Sequence, residues 1–262
     1  MLLENKTAVV YGAGGSVGGA VARAFAREGA RVFLAGRTPA TLDGVAEGIS
    51  AAGGEVETAQ VDAYDPEAVD TYVHDVASKA GRIDVSFNAI RHQDVHGPPL
   101  LEMPFEDFVR PVTLAMTSNF FTARAAARHM VKQGSGVIMT MTAATAYQTI
   151  PEVGGTGVAF DAIESLCRQW AAELGPHGIR VVWLKSTGLP QALPDVAFPG
   201  YGTGKEQMTR DEVIEWLEGK TMLGRMTSFE DVGNAAALAA SDLAGATTAA
   251  AINISCGSVP TR

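Results

Sequence analysis

Residues Thr7 to Tyr11 form a short apolar run that passes directly into Gly12-Ala13-Gly14-Gly15-Ser16-Val17-Gly18-Gly19, after which Ala20 to Arg27 has the pattern of a helix. A strand, a glycine-rich turn and a helix in that order leave few folds open. Glycine lets the backbone approach a pyrophosphate closely, and the free N–H groups of the first helical turn then meet its negative charge. The segment therefore predicts a dinucleotide site contacted by Gly12, Gly14, Gly15, Ser16, Val17 and Gly18. The Ser16 hydroxyl either adds to phosphate binding or its Cβ crowds the approach.

The rest of the chain repeats the alternation. Further short β-branched or apolar runs lie at Arg31 to Ala35, Val56 to Val61, Ile83 to Phe87, Val137 to Met141, Arg180 to Leu184 and Ala251 to Ile254, with amphipathic stretches between them. Strands alternating with helical patterns predict an α/β fold, a seven-stranded, mostly parallel, doubly wound sheet with helices on both faces. A length of 262 residues suits one such domain over 1–262. Thr38-Pro39 and Asp65-Pro66 read as helix starts, and Gly53-Gly54 and Gly81 as stops. The longest irregular stretch, Lys185 to Met208, precedes a short helix at Arg210 to Glu218, and 185–221 is a candidate substrate lid.

Strand two ends in Leu34-Ala35-Gly36-Arg37. A carboxylate there would accept the ribose hydroxyls of NAD, whereas Gly36 and Arg37 supply the room and the cation for the 2′-phosphate of NADP(H).

Charge and cysteine content narrow the partners. A net charge of -9 argues against nucleic acid and against an acidic membrane surface, both of which need clustered Lys and Arg. The partners expected are a small-molecule substrate and further copies of the chain. No run approaches a membrane span, and the first residues enter a strand without a signal-peptide pattern, so a cytoplasmic location is expected. With Cys167 and Cys256 alone, and no Cys/His cluster, neither a disulfide framework nor a metal site is expected.

Ala171-Ala172-Glu173-Leu174-Gly175-Pro176-His177-Gly178-Ile179-Arg180-Val181 resembles the end of the active-site helix and the following strand of the short-chain dehydrogenase/reductase family. The resemblance extends over essentially the whole chain and implies a Rossmann-type fold and nicotinamide chemistry. Counting back without gaps places the family's Tyr on Thr156 and its Lys on Phe160. Gly136 to Ala143 resembles the strand that ends in the family's Ser, which falls on Ala143, and Phe120 to Ala125 resembles the segment after its Asn, which falls on Ala115. All four catalytic positions are substituted, so the resemblance implies a non-standard active site. A threonine is too weak an acid, and a phenylalanine carries no charge, to do the work of the Tyr and Lys.

The resemblance also assigns the rest of the cofactor contacts. Asp62 and Ala63 match the adenine segment, Asn88 and Ala89 the motif beside the adenosine ribose, and Thr187, in Ser186-Thr187-Gly188, the place that meets a nicotinamide carboxamide. Replacements for the lost acid are sought in loops at the carboxyl ends of the strands. His92 and His96 titrate near neutrality unless perturbed, and a solvated polar loop explains them as well. Tyr147 is a candidate donor or an aromatic wall, while Glu152 and Asp161 flank Thr156 and Phe160.

Three functions fit these residues. The first is an NADP(H)-dependent reductase of a small apolar carbonyl, imine or conjugated substrate. The second is a non-redox cyclase, isomerase or lyase on the same scaffold, and the third a catalytically silent nucleotide-binding protein. The family resemblance further implies a homo-oligomer, dimer or tetramer, packed through its fourth and fifth helices, which carry Phe105, Phe108, Phe120, Phe121 and Trp170.

Overall fold

The computed structural model describes residues 1–147 and 149–259. Seven strands form one parallel sheet: β1 (Thr7–Tyr11), β2 (Arg31–Gly36), β3 (Val56–Gln60), β4 (Val85–Asn88), β5 (Gly136–Ala143), β6 (Ile179–Ser186) and, last in the chain, β9 (Ala250–Asn253). Their order is β3-β2-β1-β4-β5-β6-β9. Every pairing in that sheet is parallel, so the expectation of a mostly parallel sheet understates its regularity. An additional antiparallel pair, β7 (Phe198–Pro199) with β8 (Gln207–Met208), stands apart from it.

Helices α1 (Ser16–Arg27), α2 (Pro39–Ala51), α3 (Pro66–Ala80), α4 (Phe105–Gln133), α5 (Thr156–Leu174), α6 (Arg210–Glu218) and α7 (Phe229–Ala240) fill the connections. Successive strand residues point to opposite faces, so alternate positions feed two separate cores. Ala8, Val10, Val32 and Leu34 pack with α1, α2 and α7. Val9, Tyr11, Phe33 and Ala35 pack with α3, α4 and α5. The result is a doubly wound α/β domain of three layers.

Local signals account for several helix ends. The Asp65 carboxylate accepts hydrogen bonds from the Glu67 and Ala68 N–H groups, and Pro66 starts α3 with its missing donor where none is needed. Gly81 ends α3 at φ 76°, a conformation that costs glycine little. Thr38 does not make the side-chain cap its position before Pro39 suggests. It instead lines a groove at the carboxyl ends of the strands. Among the described residues, no helix is long and apolar enough to cross a membrane.

Candidate active site

The chain leaves β1 for β2 and β3 on one side and reaches β4, β5 and β6 on the other, so the crevice between β1 and β4 is a topological switch point. The glycine-rich turn lies there. Gly12 has φ +69°, and a Cβ on it would sit 2.8 Å from the Ala89 carbonyl oxygen. A Cβ on Gly14 would strike the Thr41 side chain, and one on Gly18 the Gly12 carbonyl. Helix α1 begins at Ser16, so the N–H groups of Ser16, Val17 and Gly18 belong to its first turn and have no partner within the helix.

Beside this turn runs a groove of about 260 Å³, lined among others by Gly12, Gly14, Gly15, Arg37, Asp62 and Ala63. Ala89 borders it as well. Arg37 lies 5.9 Å from the centre of the Tyr64 ring, so cation and aromatic face share the rim. One Asp62 oxygen accepts the Tyr64 N–H, which fixes the local turn. The Asn88 amide is occupied elsewhere: it donates to Thr122 at 3.1 Å and accepts from Ile90 N–H at 3.0 Å. Asn88 therefore joins β4 to α4, and the groove meets the residues that follow it.

A second cavity, of about 190 Å³, opens at the carboxyl ends of β5 and β6. Ala143, Thr156, Phe160 and Thr187 border it, which unites four positions widely separated in sequence. Its remaining walls come largely from 185–221, including Leu193, Phe198, Tyr201 and Trp216. Among the described residues, no Asp, Glu, Lys or Arg lines it. Its polar side chains among them include His96, Thr145, Thr156, Thr187 and Tyr201.

Of the candidates for the missing acid, Tyr147 and His92 do not line this cavity. Tyr147 directs its hydroxyl to Glu164 Oε2 at 2.7 Å, a bond that raises the phenol's pKa, with partial burial adding to the effect. A phenol held by a carboxylate and made less acidic is a poor donor near neutral pH. His92 is buried with its ring edge-on to Phe160, 5.8 Å between centres. Burial lowers its pKa, so it is held neutral against the aromatic ring, with Asp94 opposing the shift.

His96, four residues on, does reach the cavity. Its Nε2 lies 3.0 Å from the Thr156 hydroxyl and its Nδ1 3.3 Å from the Tyr201 hydroxyl. Tyr201 stacks on Trp216 at 5.7 Å and donates its N–H to Glu152 Oε2. The Glu152 carbonyl accepts the Gly97 N–H at 2.8 Å. Three segments distant in sequence thus converge on one imidazole.

Glu164 has no counterpart in the sequence reading. Glu164, on the Thr156 and Phe160 face of α5, forms a buried ion pair with Lys185 at 3.1 Å. Thr142 donates to the same carboxylate at 3.1 Å. The spacing 156, 160, 164 is the signal that places Glu164 on this face. Ala115 is wholly buried in the core, and its carbonyl accepts the amide of Asn119 at 2.9 Å, so that nearby asparagine is spent within α4.

With this geometry in place, comparison with known proteins is informative. The family profile described as Enoyl-(Acyl carrier protein) reductase matches residues 12–258. Gluconate 5-dehydrogenase of Gluconobacter oxydans (strain 621H) is 29% identical over 237 residues, 89% of this chain and 87% of that protein. Secoisolariciresinol dehydrogenase of Forsythia intermedia is 30% identical over 244 residues, 92% of this chain and 84% of that protein. The solved structure of NAD+-bound xylitol dehydrogenase superposes with a TM-score of 0.88 at 24% identity, covering 98% of this chain and 100% of that one. A short-chain type dehydrogenase/reductase from Mycobacterium marinum gives 0.83 at 28% identity, covering 99% and 97%. The chain belongs to the short-chain dehydrogenase/reductase family of oxidoreductases.

Proposed function

We propose that the protein is an NADP(H)-dependent oxidoreductase that acts on a small apolar carbonyl, imine or conjugated substrate at a site without the family's usual tetrad. The observation that carries this reading is the cavity at the ends of β5 and β6, which has aromatic and aliphatic walls and, among the described residues, no charged lining residue. Such a surface favours an apolar ligand oriented by a few hydrogen bonds. A sugar acid would leave its carboxylate and hydroxyls poorly matched there.

The residues of the groove fit a dinucleotide. Gly12, Gly14 and Gly15 leave backbone open to a pyrophosphate, and the N–H groups of Ser16, Val17 and Gly18 neutralise its charge. Arg37 and Thr38 are placed for a 2′-phosphate, Asp62 and Ala63 for the adenine, and Ala89 for the ribose, with Asn88 acting through the backbone it fixes. Thr187 is the candidate for the carboxamide. When bound, the reduced nicotinamide supplies the hydride. The 185–221 segment serves as the substrate lid, since it provides much of the cavity wall.

The Phe120 and Trp170 rings, 5.6 Å apart on α4 and α5, provide the apolar face for association of copies of the chain. Phe160, standing where a lysine is usual with the neutral His92 packed against its ring, favours, as a second reading, a non-redox enzyme or silent binding protein. Incubating the protein with NADPH and a panel of apolar aldehydes, ketones, imines and enones decides between them. Substrate-dependent NADPH oxidation is expected. Turnover that persists without nicotinamide, or none with any member of the panel, contradicts the reading.

A further inference from the structure

Resting on that reading, we propose that Thr156 delivers the proton to the substrate oxygen and that His96, acting through Thr156, stores and replenishes it. Thr156 is buried at the first turn of α5, borders the cavity and lies 3.0 Å from His96 Nε2. A threonine hydroxyl alone cannot be a useful acid near neutrality, so a proton source must stand behind it. Among the described residues that line the cavity, which include no Asp, Glu, Lys or Arg, His96 is the one whose ordinary pKa lies near neutral pH.

The surroundings of His96 suit that role. The Tyr201 hydroxyl holds the imidazole, Glu152 in turn holds the Tyr201 backbone N–H, and His96 is exposed, which gives the proton a route from solvent. The charged or titratable groups around it are Asp94 on its own loop, Glu152 before α5 and Tyr201 beyond β7. Partial burial lowers the His96 pKa below the ordinary imidazole value, and Asp94 opposes that shift. Burial and Glu152 raise the Tyr201 pKa, so Tyr201 stays neutral and orients the ring. The Thr145 hydroxyl oxygen is buried without a hydrogen-bond partner among the described residues and borders the same cavity. It is placed to donate a second hydrogen bond to the substrate oxygen.

In the reductive direction a bound reduced nicotinamide would supply the hydride from its own C–H bond and be oxidised, so that the carbonyl carbon would gain a C–H bond and the C=O π pair would move to oxygen. That oxygen takes the Thr156 hydroxyl proton, and the Thr156 oxygen takes the Nε2 proton of the His96 imidazolium. His96 is left neutral, its Nδ1–H directed to the Tyr201 oxygen, and is reprotonated from solvent. Because the protonated imidazole is the competent form, reduction slows as pH rises through the lowered pKa of His96.

Benzoate, whose carboxylate imitates the charge that develops on the substrate oxygen, tests the pair without turnover. Its affinity is read by tryptophan fluorescence, Trp216 being on the cavity wall, from about pH 5.5 to about pH 8. In the unsubstituted protein the Kd is expected to weaken about tenfold per pH unit above the His96 pKa, the signature of one linked proton. His96→Gln should flatten that dependence. Thr156→Val should weaken binding and keep the slope. With a turning-over substrate, both variants should lower kcat about 10²- to 10⁴-fold. Benzoate binding independent of pH in the unsubstituted protein, or a slope preserved in His96→Gln, overturns the proposal. Proton-linked binding by a protein that never oxidises NADPH supports the pair and sinks the oxidoreductase reading alone.

Discussion

Lys185 Nζ lies 3.1 Å from Glu164 Oε1 in the protein interior, with side-chain exposures of 4% and 0%. Tyr147 closes over the pair, its ring centre 3.4 Å from the ammonium and its hydroxyl bonded to the carboxylate. Removing one member of such a pair strands the other charge, at a cost of about 3–5 kcal/mol. Glu164→Leu is therefore expected to lower the urea midpoint strongly, and Glu164→Leu with Lys185→Met to recover most of the loss. Equal midpoints for the single variant and the unsubstituted protein would show that the pair contributes little.

Gly12 is the second point of sensitivity. Alanine at its positive φ costs about 1–2 kcal/mol from the backbone alone, and the added methyl group would also meet the Ala89 carbonyl oxygen at 2.8 Å. Gly12→Ala should lose cofactor affinity and stability together, measured by calorimetric titration and by thermal unfolding. Retention of both would mean that the turn can rearrange.

Acid stability depends in part on Asp231. Its Arg225 partner and Ser228 hold its pKa to about 2, below the ordinary value of 3.8. The carboxylate also completes the cap of α7 by accepting the Ser228 N–H at 2.9 Å. A pKa lowered on folding stabilises the folded state fully above the unfolded value and stops doing so as pH falls through the folded one. Asp231→Asn should thus reduce stability near neutral pH, with the difference from the unsubstituted protein shrinking between about pH 4 and about pH 2. The exposed setting keeps the effect small. Parallel unfolding curves at each pH would measure it, and a difference that is constant with pH would refute the assignment.

The sequence discloses the fold more fully than the site. All seven strands of the main sheet lie where β-branched or apolar runs occur, and α6 has its predicted bounds, because short apolar runs and helix caps are local signals. The elements of the groove beside β1 are local too: the glycine-rich turn and Arg37 are read within short segments and both line it. The second cavity depends on contacts across long separations. His96 meets Thr156 across 60 residues and Tyr201 across 105, and no spacing rule predicts such pairs. Lys185 reads as the start of an irregular loop, yet β6 continues to Ser186 and carries its side chain into the core. Tyr147 was legible as a polar aromatic but not as the cover of an ion pair.

The central claim, that the groove is built for NADP(H), meets its most direct test in calorimetric titration of the protein with NADPH and NADH, before and after Arg37→Ala. A charge-assisted contact to the 2′-phosphate contributes about 1.5–3 kcal/mol. NADPH should therefore bind about ten- to a hundredfold more tightly than NADH, and Arg37→Ala should remove that preference while changing NADH affinity little. Equal affinity for the two nucleotides in the unsubstituted protein, or a preference that survives Arg37→Ala, would contradict it.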